Sequence, residues 1–186
     1  MRILFLSVIA YISTNMDDLV FNMIFFAQAK SAREARSIAA GKFLGMFFLT
    51  AVSLLGAYGL QTLSLRWLPV LSIVPIALGL RQLIRHFRGG DEDTHAAAPC
   101  AALWLSMAIT TVAAGADNIG VYVPLFAGFT PGQQLVGAAV FAAMTALWCL
   151  LAGRLTRFPG FQKWLGRIQP IAVPIVYILL GLYILL

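Results

Sequence analysis

Residues 14–27, TNMDDLVFNMIFFA, set two adjacent carboxylates and an amide in the middle of an otherwise apolar run that begins at Ile3. A helix of about 20 residues crosses the roughly 30 Å of a bilayer's hydrocarbon. A charged carboxylate near the centre of such a helix costs about 2.5–3.5 kcal/mol on insertion scales, so it needs a partner, a proton or an ion. The pattern returns one hundred residues later, where AGADNIGVYVPLFA at 114–127 aligns without a gap. Asp17 falls on Asp117, Phe26 on Phe126 and Ala27 on Ala127, while IALGL at 76–80 matches ILLGL at 178–182. Both acidic segments lie just past the centre of the span that holds them.

The rest of the chain fits this reading. Of its 186 residues, 61% are hydrophobic and only 11% charged, with a mean hydropathy of +0.89, whereas a soluble domain carries about 25% charged residues. Charges cluster between apolar stretches, which predicts an all-α integral membrane protein with six spans near 3–27, 37–60, 67–86, 102–127, 133–153 and 168–186. Residues 1–86 form a first three-helix repeat, 87–101 (HFRGGDEDTHAAAPC covers 86–100) a cytoplasmic linker, and 102–186 a second three-helix repeat. Because each repeat has an odd number of spans, the two enter the membrane in opposite directions. Such inverted repeats place a transporter's substrate site near the midplane. The opening MRILFLSVIAYIS has the charge and apolar run of a leader but no small-residue cleavage site, so it is read as part of the first span.

The net charge of +6 does not signal nucleic acid. With alternating spans, one face receives eleven of the thirteen Lys and Arg residues, Lys42 among them, and the other only Arg2 and Arg66. By the positive-inside rule, the 28–36, 87–101 and 154–167 connections are cytoplasmic and both termini lie outside. In the linker, His86, His95, Asp91, Glu92 and Asp93 read as a solvated charged loop rather than a metal site.

The chemistry concentrates in the two matching segments. Asp17, Asp18 and Asp117, with Asn15 and Asn118 beside them, offer oxygen ligands from two helices. Gly115, Gly120 and Pro124 permit a local break that frees backbone carbonyls. Interhelical packing alone would be met by uncharged Ser, Thr or Asn; three buried carboxylates point to a cation or proton that neutralises them. Other features read as structural. Gly41 and Gly45 form a GxxxG packing seam, Lys42 snorkels to the interface, and Met16, Met23 and the tryptophans pack or face lipid. Cys100 and Cys149 are loop or buried thiols outside the acidic motifs, and Asn22 is likewise expected to matter little.

DDLVFNMIFFAQAKSAREARSIAAGKFLG, GADNIGVYVPLFA and WCLLAGRL at 148–155 resemble the signature segments of the CadD-like cadmium-resistance transporters, within the lysine-exporter superfamily. The resemblance covers nearly the whole chain. It implies a transporter, not an enzyme, that removes a divalent cation across the bacterial cytoplasmic (inner) membrane, and it places Asp17 and Asp18 in the first motif and Asp117 with Asn118 in the second. Cadmium is the cargo the resemblance favours, with zinc and manganese as alternatives; no cofactor is expected, and a homodimer is left open. One chemical conflict stands out. Oxygen donors suit hard cations, whereas cadmium favours thiolate or imidazole. A site of buried acids also fits an exporter of cationic amino acids or another small solute, although such a pocket would draw polar groups from more than the first and fourth spans. The chain has no GxxxxGK[ST] loop, so transport draws on a gradient, with protons as the expected counter-ion.

Overall fold

The computed structural model describes residues 1–63, 73–88, 103–115, 117–156 and 158, with isolated helical positions between 171 and 182. All secondary structure among these residues is helical: α1 (Arg2–Thr14), α2 (Met16–Gln28), α3 (Ala32–Leu63), α4 (Ile73–Phe87), α5 (Leu103–Ala114), α6 (Ile119–Ala127) and α7 (Pro131–Leu155). Most of the expected sixth span and most of the linker lie outside the described residues, as does the start of the third span.

Two elements are long, apolar and unbroken: 29 residues at Ala32–Leu60 and 25 at Pro131–Leu155, each enough to cross a membrane. The first expected span is instead a bent pair, with α1 and α2 meeting at 67°. The fourth is likewise two helices, α5 and α6, separated by residues 115–118. The polar interruptions in the sequence have become breaks because Ser, Thr and Asn side chains compete with the helix for backbone partners. Here Ser13 Oγ and Thr14 Oγ1 both donate to the Ala10 carbonyl at 2.9 Å, and Asn15 Nδ2 donates to the Tyr11 carbonyl at 3.0 Å.

α3 begins five residues before the expected start at 37. The reason is a cap, not apolarity: Ser31 Oγ accepts the Glu34 N–H at 3.2 Å, and the Glu34 carboxylate accepts the Lys30 N–H at 2.6 Å. Reciprocal bonding of this kind satisfies helix-start donors and fixes the first turn. α7 opens similarly, with a Thr130–Gln133 capping box and Pro131 in the first turn.

Packing is organised around α3 and α7. α3 lies along α5 so closely that a Cβ on Gly41 would collide with the Trp104 carbonyl, and one on Gly45 would stand 2.6 Å from Thr111 Cβ. The GxxxG seam is therefore an intramolecular one. α7 runs parallel to the bent pair, because Tyr11 meets Thr145, Asn15 meets Trp148 and Phe26 meets Gly153 in rising order on both. Outward positions are large and apolar, among them Phe47, Phe48, Leu55, Leu135 and Leu150, whereas Asn15, Asp18, Asn22, Lys42, Thr110, Thr111 and Asn118 are buried. An apolar exterior around a polar interior is what a bilayer selects, since lipid offers no hydrogen bonds and polar groups must find partners within the protein. This is a membrane protein.

Candidate functional site

The two helix breaks meet. Tyr122, in the first turns of α6, places its hydroxyl 2.6 Å from Thr14 Oγ1 and accepts the Asn15 amide N–H at 2.7 Å. From the other side, Trp148 Nε1 of α7 donates to the Asn15 backbone carbonyl at 2.8 Å, while the Tyr11 hydroxyl donates to Thr145 Oγ1 at 3.0 Å. The carbonyl freed by the break is thus held by an indole. The aromatic rings of Tyr11, Tyr122, Phe126, Phe141 and Trp148 stack edge-on or tilted into one wall beside it, with adjacent centroids 4.6–5.5 Å apart. The second break is a run of tight turns, with Asn118 N–H on the Gly115 carbonyl at 3.1 Å and Gly120 N–H on the Asp117 carbonyl at 3.0 Å. Gly115 has no room for a side chain: a Cβ there would strike Leu49 Cδ1 and stand 2.8 Å from the Thr111 carbonyl.

Asp17 and Asp18 occupy the first turn of α2, where unpaired N–H groups and the helix dipole favour negative charge. Asp18 is 4% exposed, and its Oδ2 lies 2.6 Å from Lys42 Nζ of α3, a side chain with no exposure at all. Lys42 therefore does not snorkel to the interface. It sits between the two glycines that bring α3 against α5, too far inside for its ammonium to reach water. The pair is charge-assisted and desolvated, a geometry in which loss of either partner strands the other's charge.

The predicted residues divide clearly. Asn15, Asp18 and Asn118 are buried at the junction of the breaks, and Asp117 is half-buried at the second break. The Asp17 side chain lies outside the described residues. Asp18 and Asp117 are both close enough to the Tyr122 hydroxyl for their charges to act on it. Among the described residues no three His, Cys, Asp or Glu side chains converge on a single point. Two acids surrounded by amides and hydroxyls make up the described part of the site.

Several polar groups are buried without partners. Asn22, one turn beyond Asp18, has no exposure, and neither its amide nitrogen nor its oxygen has a hydrogen-bond partner; Asn15 Oδ1, Asn118 Nδ2, Thr110 Oγ1 and Thr111 Oγ1 are also unpartnered. Each such group costs about 1–3 kcal/mol when left unsatisfied. The interior thus keeps both donors and acceptors that water or a ligand can satisfy. Polar groups come from α3 and α7 as well as from the two broken segments, more elements than the sequence suggested. Lys42, read from the sequence as an interface residue, is the charged one among them.

A family model described as cadmium resistance transporter matches residues 11–186. No curated protein and no solved structure matches the chain. The match begins at Tyr11, takes in both breaks, and runs through α7 to the last residue. With the two acidic segments broken at matching places and joined through Tyr122, the chain belongs to the cadmium resistance transporter family.

Proposed function

We propose that the protein exports divalent metal cations, cadmium foremost, from the bacterial cytoplasm by exchange with protons. Asp17, Asp18, Asp117, Asn118 and Asn15 form the cation site, at the midplane of six spans arranged as two inverted three-helix repeats. The observation that carries this reading is the buried Asp18 carboxylate at the meeting point of two helix breaks, already neutralised by one cation, Lys42. Broken helices of this kind bring helix ends and free carbonyls to transported ions. Protons and metal compete for the same carboxylate oxygens, so protons arriving from outside displace metal outward and cytoplasmic metal displaces protons inward. Both termini lie outside.

In proteoliposomes, an imposed pH gradient is expected to drive cadmium against its own gradient, with a reciprocal change in internal pH. Asp18→Ala and Asp117→Ala should abolish both while leaving insertion intact. Cadmium flux that ignores the pH gradient and moves no protons would overturn the exchange.

A second reading has one observation in its favour. The Lys42 ammonium shows that Asp18 accommodates a primary amine at 2.6 Å, the group that a cationic amino acid or other amine would present. Efflux assays with lysine or arginine in place of metal separate the two: transport of the amines without transport of cadmium selects this second reading.

A further inference from the structure

Cadmium favours thiolate over carboxylate, and neither acidic motif contains a thiol. The fold supplies one from another helix. Cys149 of α7 is the free cysteine among the described residues, and it is buried. Its level follows from the register of α7 on the bent pair. Thr145 is bonded to Tyr11, Trp148 to the carbonyl of Asn15, and Gly153 lies against the Phe26 ring. Cys149 therefore falls beside the first turns of α2, which carry Asp17 and Asp18. It is also near enough to Lys42, the partner of Asp18, for the ammonium's charge to act on the sulfur.

A second, independent observation points to a ligand at this level. Asn22 is fully buried with both ends of its amide unpartnered. It stands four residues after Asp18 and four before Phe26, so the three share one stripe of α2. That stripe meets α7 at Gly153. Asn22 therefore stands one turn along the same stripe from Asp18, fully buried, with both ends of its amide free to bond a ligand.

We propose that Cys149 is the soft ligand of the cation site, so that a thiophilic dication is held between its sulfur and the Asp18 carboxylate, with the Asn22 carbonyl oxygen completing the set. This rests on the reading above that Asp18 belongs to the cation site. On binding, the S–H bond is replaced by a sulfur–metal bond and one proton is released to water; no electrons are transferred. The arrangement separates cargoes by softness. Cadmium uses sulfur and oxygen, whereas a hard cation such as manganese uses the oxygens alone.

The test uses the full-length protein in detergent in a Cys100→Ser background, so that Cys149 is its sole thiol. Cadmium is titrated while heat of binding and ultraviolet thiolate-to-cadmium charge-transfer absorption are recorded together. The absorption should appear in Cys100→Ser and vanish in Cys100→Ser/Cys149→Ser. Cadmium affinity should fall at least about tenfold in the second protein, the lower end of what even supporting residues contribute around a metal. Manganese affinity should not change. Cadmium binding with no charge-transfer band, or equal affinity with and without Cys149, overturns the assignment. If Asp18→Asn abolishes cadmium binding in that case, the carboxylate site survives and only the sulfur is removed from it. If Cys100→Ser, folded and monodisperse, releases no heat with cadmium, the broader reading falls and the sulfur ligand with it.

Discussion

Lys42 and Asp18 lie 2.6 Å apart, with their side chains 0% and 5% exposed. A pair this dry gains little net stability over apolar residues of the same size, but removing one partner costs about 3–5 kcal/mol because the other charge is left buried. Lys42→Met and Asp18→Leu should each lower the stability of the detergent-solubilised protein by that order, and the double variant should recover most of the loss. Thermal unfolding midpoints measure the cycle, and additive losses would show that the two charges do not stabilise one another. The acids were conspicuous in the sequence because a carboxylate in an apolar run has no cheap explanation. Their partner was not, since Lys42 lies 24 residues away in a segment that could equally have ended at the interface. Asn22 was read as unimportant for a different reason: an uncharged amide carries a small insertion penalty, and only its burial without partners shows that it is unusual.

At the scale of elements, the break in the fourth span was legible from its glycines, whereas the first was read as one span with a polar interruption. Asn15 and the Gly115–Gly120 stretch interrupt two helices where polar and glycine residues crowd an apolar run. The GxxxG pattern indicated close packing, and the fold adds its partner, α5. This seam allows a sharp comparison. Gly41→Ala places a methyl group against the Trp104 backbone, which cannot yield as a side chain would, whereas Gly59 has open space around its Cβ direction. Overpacking of this kind typically costs about 1–3 kcal/mol. Gly59→Ala should be neutral or stabilising by about 0.5–1 kcal/mol, through reduced backbone entropy in a helix. A chemical or thermal unfolding series on the two variants checks the contrast, and equal effects would remove the backbone contact as the cause. Helix starts were less legible, because the Ser31–Glu34 cap extends α3 past its apolar run into charged sequence.

At the scale of the molecule, the proposed orientation rests on the distribution of basic residues. Moving Lys42 from the interface to the interior leaves ten basic residues on one face and two on the other, still a large imbalance. A membrane-impermeant thiol reagent added to intact cells should label a cysteine placed after Leu186 and miss Glu92→Cys in the Cys100→Ser background; the opposite pattern would invert the topology. The way polar residues from four helical segments gather around the breaks was hidden in the sequence, because it depends on which faces of α3 and α7 turn inward. The fixed ammonium of Lys42 has an electrical consequence. Each elementary charge crossing the full membrane potential is worth about 2.3 kcal/mol per 100 mV. A carrier with a tethered positive charge beside its acids is one unit less negative when it returns without cargo, so the resting voltage of the cell hinders or helps that return by a correspondingly smaller amount. For the exchange proposed above, Lys42 is expected to set the electrogenicity of the cycle, a quantity read from how flux varies with imposed voltage.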